Sequence, residues 1–307
     1  MKPLADLHRH LEGAIRPSTL HELAQVRGRP VTSEWRNSFV ASPREGGLLP
    51  YLAKIDHAAA LVRTADQWRQ MATEAIADAY DDGLSAVELR FSPRFIEKMS
   101  GVDSDAAFEA VADAVSRNQL PIDVGLIGIV LRNEGPDSAV AQMAQLIRHE
   151  DALIAVDLAG DEAGYPAALF GPAFRLAYDH GLHVTIHAGE AEGPRSVWEA
   201  LRHLRPERIG HGVRSAEDPS LLDHLAESGV TLEVAITSNV HTGAASAAGS
   251  HQLATLVDAG VRVAICTDNP TVSNTRLSRE LGIAAELVGT DTADRLRREG
   301  HRSRFAR

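Results

Sequence analysis

Residues 183 to 190 of the chain read HVTIHAGE, an apolar run that ends in histidine, glycine and glutamate. The run has the length and composition of a strand buried on both faces, as in a parallel sheet. Similar runs recur along the chain and most end in polar or glycine-containing sequence. They lie at residues 3–8, 85–91, 122–131, 153–158, 208–211, 230–236 and 261–267. With residues 183–187, the sequence therefore predicts eight strands.

Segments with the apolar spacing of an amphipathic helix separate these strands. They include residues 66–81, 103–115 and 138–147. Ser18 or Thr19 is a candidate N-cap for a helix that begins near Leu20. The interval between the first and second strands is too long for a single crossover helix, so we expect extra helices there.

This alternation predicts an α/β fold, a single (β/α)₈ TIM barrel over residues 1–307, because right-handed crossovers around eight parallel strands close a ring. The main rival is a doubly wound open sheet, but no glycine-rich phosphate loop follows the first strand. The flexible segment 243–249, GAASAAG, is expected at the lip of a site and not at a domain boundary.

Composition limits the partners and the compartment. The chain has 44 % hydrophobic and 24 % charged residues, as globular domains do, and its net charge of −11 disfavours nucleic-acid partners. One cysteine, Cys266, rules out an intrachain disulfide framework and fits a reducing compartment. With no membrane-length apolar stretch and no secretory h-region, we expect a cytoplasmic protein without a membrane partner.

Reactive side chains fall at the predicted strand ends. His8 and His10 end the first strand, His187 the fifth and His211 the sixth, and Asp268 ends the eighth. The carboxyl ends of the strands of such a barrel share one rim, so these side chains are expected to converge. His8 and His10 also share a face of their strand, since they are two residues apart.

Taken singly, each residue has an ordinary explanation. A His-x-His pair can be incidental in a chain with 14 histidines, His187 can be a core histidine, and Asp268 can begin a turn. At four strand positions of one barrel, however, three imidazoles and a carboxylate suit a divalent transition metal, zinc above all. The sequence therefore predicts one Zn²⁺ per chain, bound by His8, His10, His187 and Asp268.

Two further residues fit metal-assisted hydrolysis. Glu190 follows His187 by three positions, where a carboxyl group can move protons beside a metal without binding it. The alternative is a glutamate that stabilises a helix N-terminus. His211 lies between Gly210 and Gly212, which permit close approach of a substrate or of water, and the alternative is a structural loop histidine.

Seven segments carry a family resemblance. They are LHRHLEG at 7–13, VELRFSP at 87–93, VDLAGDE at 156–162, HAGE at 187–190, RIGHG at 208–212, TSNV at 237–240 and TDNP at 267–270. In order and spacing, over roughly residues 4–285, they resemble the adenosine deaminase family of zinc-dependent purine aminohydrolases. The resemblance implies a (β/α)₈ barrel and hydrolytic deamination of a small-molecule 6-aminopurine, with adenosine or 2′-deoxyadenosine as the leading substrates.

The resemblance also implies roles for individual residues. It identifies the zinc ligands as the four residues predicted above. Glu190 becomes the proton donor to purine N1, and His211 orients and helps deprotonate the attacking water. The backbone at Gly160 faces purine N3 and the Asn269 side chain faces N7.

The resemblance also implies two contacts that support site residues, and the sequence departs from the family pattern at two positions. Glu233 is expected to support His211, and Ser238 to support Asp268. At position 269 the family often has aspartate, whereas Asn269 offers an NH₂ donor to N7 directly. At position 12 the adenosine-type pattern has an aspartate that contacts the sugar 5′-hydroxyl, and this chain has Glu12.

Glu12 leaves alternatives open. They are deamination of adenine or of a 5′-modified adenosine such as aminodeoxyfutalosine. A metal-dependent amide or ester hydrolase on the same fold is a second class. A purine-binding relative without catalysis is a third.

Overall fold

The computed structural model describes residues 3–29, 31, 34–42 and 46–306, and its centre is one parallel sheet of eight strands in chain order. The strands are β1 Leu4–His10, β2 Leu84–Phe91, β3 Asp123–Leu131, β4 Ala155–Ala159, β5 His183–Ala188, β6 Arg208–His211, β7 Thr231–Val234 and β8 Arg262–Ile265. A bridge between Arg9 and Asp268 joins the two sides of the sheet. The predicted (β/α)₈ barrel is confirmed.

Thirteen α-helices surround the sheet within the described residues. They are α1 Pro17–Val26, α2 Leu48–Ala59, α3 Ala65–Asp81, α4 Pro93–Ser100, α5 Ser104–Ser116, α6 Gly135–Ile147, α7 Gly171–Asp179, α8 Pro194–Leu204, α9 Pro219–Ser228, α10 Ile236–His241, α11 Leu253–Asp258, α12 Leu277–Val288 and α13 Thr290–Arg302. Helices α1 to α3 occupy the interval between β1 and β2, as predicted. No helix in the described part of the chain is long and apolar enough to cross a membrane.

The predicted start of α1 is wrong. The helix begins at Pro17, whose fixed φ suits a first helical turn, so Ser18 and Thr19 lie inside the helix. Thr19 instead donates a side-chain hydrogen bond to Glu74 of α3. The predicted helices at 66–81 and 103–115 are confirmed to within one residue at each end.

The last two strands are shorter than predicted. β7 ends at Val234 and β8 ends at Ile265. Asp268 therefore lies beyond the eighth strand and not at its last position. Its φ of +63° places it in the left-handed region, which an extended strand excludes.

The ring closes through backbone hydrogen bonds at Asp268. Its N–H donates to the carbonyl of His8 at 2.7 Å, and its carbonyl accepts from the N–H of His10 at 2.8 Å. The seam between the first strand and the segment after β8 therefore holds three of the predicted metal ligands in fixed register.

Candidate active site

The four predicted metal ligands meet in one cluster. One ligand atom from each of His8, His10, His187 and Asp268 lies within 4.8 Å of the other three. His10 Nε2 is 3.2 Å from the Nε2 atoms of His8 and of His187. Asp268 Oδ1 is 3.4 Å from His8 Nε2 and 3.3 Å from His10 Nε2.

These spacings fit a bound cation. Ligands about 2.0–2.1 Å from a tetrahedral Zn²⁺ lie roughly 3.3–3.4 Å from one another, close to the separations in the cluster. Facing imidazole nitrogens would otherwise bring lone pairs or protons against each other in a buried space. The cluster of three imidazoles and one carboxylate can therefore hold a divalent metal ion.

Two buried carboxylates orient the histidines from behind. Glu233 Oε2 accepts a hydrogen bond from His8 Nδ1 at 2.8 Å, and Asp157 Oδ1 accepts one from His187 Nδ1 at 3.1 Å. With the proton on Nδ1, each Nε2 presents its lone pair to the cluster. The expected contact between Glu233 and His211 is absent among the described contacts, so that assignment is wrong: Glu233 lies under His8.

Arg90 links these two carboxylates inside the barrel. Its guanidinium lies 2.9 Å from Asp157 Oδ2 and 2.8 Å from Glu233 Oε2. Burial opposes ionisation of Glu233, but Arg90 and Arg208 outweigh it and hold the pKa of Glu233 well below its usual range. Sequence reasoning assigned no role to Arg90 or Asp157. The sequence feature that could have identified them is a charged residue on the inward face of an otherwise apolar strand.

Asp268 is held by two hydroxyl groups. Ser238 Oγ donates to Asp268 Oδ2 at 2.5 Å, which is the expected contact. Tyr51 of α2 donates to the same oxygen at 3.3 Å and was not foreseen. Both bonds leave Oδ1 directed at the histidines.

Glu190 lies beside the cluster and is buried. Its Oε2 atom is 3.6 Å from His211 Nε2. Burial, followed by the nearby carboxylates of Asp268 and Glu162, raises the pKa of Glu190 to about 8. The raised pKa favours the protonated form of the carboxyl group, which can act as an acid. Helix α8 begins only at Pro194, so Glu190 does not stabilise its N-terminus.

Glu162 fixes the loop that carries Glu190. Its Oε1 accepts from the backbone N–H of Gly189 at 2.5 Å. Its Oε2 accepts from the N–H groups of residues 190, 191 and 192, at 2.8 to 3.2 Å. Glu162 ends the quoted segment 156–162, but the sequence assigned no role to it, because nothing in that segment shows that its carboxylate binds the backbone amides of residues 189–192.

His211 occupies a strained backbone position at the end of β6. Its φ is +63°, in the left-handed region that residues with a side chain rarely adopt. The neighbouring Gly210 leaves room for the rings, because a Cβ there would make tight contacts of 3.0 Å with His8 Cε1 and 3.3 Å with the His187 ring. The rings of His8, His187 and His211 can therefore share one small volume.

A pocket of about 310 Å³ opens above the cluster, and its lining includes Glu12, Gly160, Glu190, His211 and Asn269. All the predicted catalytic and substrate-contact residues thus border one space. The segment 243–249, expected at the lip, is not part of the lining that the structure describes.

Two residues that line the pocket each have a buried oxygen without a hydrogen-bond partner within the described residues. The atoms are Glu12 Oε2 and Asn269 Oδ1, and the latter faces the backbone of Gly13. The other Glu12 oxygen accepts from Ser92 N–H at 2.8 Å, and burial raises the pKa of Glu12 to about 7. Buried polar atoms without partners are costly, and a hydrogen-bond donor on a ligand would satisfy Glu12 Oε2.

Gly160 leaves its backbone open to the pocket. Its φ of +111° suits glycine alone, and a Cβ at this position would lie 2.2 Å from Asn133 Oδ1. A planar ligand can therefore approach the main chain here closely.

Comparisons with known proteins agree with this geometry. A family model described as adenosine deaminase matches residues 3–307. The adenosine deaminase of Serratia proteamaculans (strain 568) is 38 % identical over 298 residues, 95 % of this chain and 90 % of the relative. That of Klebsiella pneumoniae subsp. pneumoniae is 39 % identical over 293 residues, 94 % of this chain and 88 % of the relative.

Solved structures share the fold over nearly the whole chain. The adenine deaminase of Arthrobacter aurescens has a TM-score of 0.90 at 25 % identity, covering 99 % of this chain and 94 % of that one. The N6-mAMP deaminase of Arabidopsis has a TM-score of 0.88 at 26 % identity, with the same coverage. The chain belongs to the adenosine deaminase family and is a deaminase of the hydrolase class.

Proposed function

We propose that the protein catalyses the zinc-dependent hydrolysis of adenosine and 2′-deoxyadenosine to inosine and 2′-deoxyinosine, with release of ammonia. The observation that carries this proposal is the meeting of Glu190, His211 and the four-residue cluster at the base of one pocket. The curated relatives in Serratia and Klebsiella, named adenosine deaminases, support the choice of substrate.

His8, His10, His187 and Asp268 would hold the Zn²⁺ ion. When bound, such an ion acidifies a coordinated water and so supplies a nucleophile at neutral pH. The donor set and its spacing support zinc over softer or harder metals.

The protein's own groups then act on the purine. Glu190 donates its proton to N1, which turns C6 into a better electrophile and leaves a carboxylate that can accept a proton from water. His211 orients the attacking water. The N–H groups of Gly160 and the Asn269 amide would contact N3 and N7, where neutral purine nitrogens accept hydrogen bonds. Water and adenosine are consumed, and inosine and ammonia are formed.

Glu12 supports a second candidate within the same reaction. Its free oxygen lies in the pocket wall, where a longer side chain than aspartate leaves less room for a ribose. Adenine and 5′-modified adenosines such as aminodeoxyfutalosine are therefore competing substrates. The structural similarity to the Arthrobacter adenine deaminase favours including adenine in any assay.

The outer rim of the pocket favours a substrate without a phosphate. Lys98 and Glu134 line it and pair at 3.1 Å, and Arg94 lies 3.4 Å from the same carboxylate. Asp56 adds another acidic group to the lining. A nucleotide phosphate would meet these carboxylates and find both cations already paired, so we propose a nucleoside over a nucleotide.

The direct test is a substrate panel. Zinc-loaded protein is incubated with adenosine, 2′-deoxyadenosine, adenine, AMP and 5′-substituted adenosines, while the ultraviolet spectrum is followed for loss of the 6-amino chromophore. Fastest conversion of the nucleosides supports the proposal. Fastest conversion of adenine selects the second candidate, and no conversion of any 6-aminopurine by zinc-loaded protein rejects both.

A further inference from the structure

The Nδ1 atom of His211, on the side of the ring away from Glu190, contacts a buried side-chain amide. His211 Nδ1 lies 3.0 Å from Asn239 Nδ2, and both residues are fully enclosed. Asn239 belongs to α10, which follows β7 directly. The other ring nitrogen, Nε2, faces Glu190 and the reaction centre.

A third residue decides which way the amide points. Asn239 Oδ1 lies 3.2 Å from His251 Nε2, and His251 Nδ1 lies 3.0 Å from the backbone N of Leu253. A backbone N–H can only donate, so His251 Nδ1 accepts and its ring proton is on Nε2. That proton fixes the acceptor end of Asn239 toward His251 and its NH₂ group toward His211.

The same donor and acceptor argument applies to the contact between Asn239 and His211. Because an NH₂ group can only donate, His211 Nδ1 must be the accepting nitrogen. Burial lowers the pKa of His251 to about 4, so its ring carries a single proton at neutral pH. A neutral imidazole that accepts a hydrogen bond at Nδ1 has its ring proton on Nε2, and the hydrogen bond from Asn239 places the proton of His211 there.

We propose that Asn239 and His251 are positioning residues that hold His211 as its Nε2–H tautomer, so that His211 presents a hydrogen-bond donor to the reaction centre. A ring in this form cannot accept a proton at Nε2. His211 therefore orients the attacking water by donation and does not serve as the base that deprotonates it. This inference rests on the proposed function for its catalytic meaning, whereas the tautomer is a property of the protein alone.

The tautomer is measurable without turnover. Zinc-loaded protein labelled with ¹⁵N at histidine is examined by long-range ¹H–¹⁵N correlation, with His211→Asn used to assign the ring of His211. We expect a protonated Nε2 and an unprotonated Nδ1 for His211. In Asn239→Asp the carboxylate accepts instead of donating, so the pattern should reverse.

A matched pair of variants at position 251 separates positioning from packing. His251→Phe fills the space but frees the Asn239 amide, and should lower kcat by roughly 10- to 100-fold with mixed His211 tautomers. His251→Gln keeps a donor toward Asn239 Oδ1 and should restore both the single tautomer and most of kcat.

Several outcomes overturn the inference. They are an Nδ1-protonated His211 in the wild type, an unchanged pattern in folded Asn239→Asp, or equal kcat losses in the two position-251 variants. Should Asn239→Asp fail to fold, the wild-type spectrum and the position-251 pair still decide. If the expected tautomer is found in a protein that converts no 6-aminopurine, the proposed function is rejected, whereas the role of Asn239 and His251 in fixing the tautomer is supported.

Discussion

At the scale of single residues, chemistry depends on which atom holds a proton. The proposed acid Glu190 has a raised pKa because it is buried beside other carboxylates, and His8 can act as a ligand because Glu233 accepts a hydrogen bond from its Nδ1–H and leaves the Nε2 lone pair free. Neither property is a feature of the residue type. Each comes from one or two neighbours, so single substitutions can separate metal binding from proton transfer.

Replacing Glu190 by Gln removes the acid and keeps the shape of the side chain. We expect the Glu190→Gln variant to bind zinc normally and to lose about 10²- to 10⁴-fold in kcat, the usual contribution of a positioned acid. Metal analysis and steady-state kinetics on the same preparation check this. Near-normal turnover would refute the role of Glu190.

The activity should also depend on pH in a defined direction. A carboxyl group with its pKa raised to about 8 is protonated below that pH and loses its proton above it. If Glu190 donates to N1, kcat should stay level through neutrality and fall as the pH rises past about 8. A kcat that climbs steadily from pH 7 to 9 would contradict an acid role.

Loss of one ligand should act on the metal first. His8→Ala should weaken zinc binding by more than the roughly 10- to 100-fold that the loss of an outer contact costs. Competition against a chromophoric chelator measures the change. His203→Ala, an exposed histidine of α8, is the control and should bind zinc as the wild type does. Equal affinities in the two variants would remove His8 from the ligand set.

At the scale of elements, strand ends are predictable and the segments that follow them are not. The alternation of β1 and the apolar run of β5 locate His8, His10 and His187 correctly, because each pattern is local. Tyr51 reaches Asp268 from α2, more than 200 residues away in the chain, and no local pattern connects the two. Glu162 was missed for the same reason.

The rim of the pocket offers a prediction about specificity. Glu134 follows β3 and pairs with Lys98 of α4, whose hydrogen bond holds the pKa of Glu134 below its usual value, so the carboxylate is charged. Glu134→Gln should raise the ratio of AMP to adenosine in kcat/KM by roughly three- to tenfold, since charges at an exposed rim interact through water.

Glu97→Gln is the matched control. Glu97 also binds Arg94, at 2.7 Å, but does not line the described pocket. It should leave the ratio unchanged, and 0.5 M salt should reduce the effect of Glu134→Gln. The same rise in both variants would show that the rim carboxylate does not select the substrate.

At the scale of the whole molecule, the sequence predicts the closed ring of strands and the convergence of the proposed metal ligands. It does not predict which buried charged side chains contact one another. Glu233 was expected under His211 and lies under His8, because the stagger of the strands determines which ring a carboxylate meets. Arg90 joins Asp157 and Glu233 across the barrel. This contact depends on the register of three strands, so the sequence of any single strand does not predict it.

Metal binding should stabilise the entire barrel. The proposed ligands come from β1, β5 and the segment after β8, so an ion that binds them only in the folded state raises the free energy of unfolding. We expect Tm to fall when zinc is removed by chelation and to recover on its return. His8→Ala should show a much smaller difference, and an equal one would mean that zinc acts elsewhere.

The contact between β1 and Asp268 also determines when the ring can close during synthesis of the chain. Two histidines of the cluster lie in β1 and are made before their carboxylate partner, which follows β8 in the chain. A nascent chain that lacks residue 268 has neither a closed ring nor a complete ligand set. The four-ligand set is therefore complete only once residue 268 has been made, and a chain terminated before that residue would lack the carboxylate of the candidate metal site.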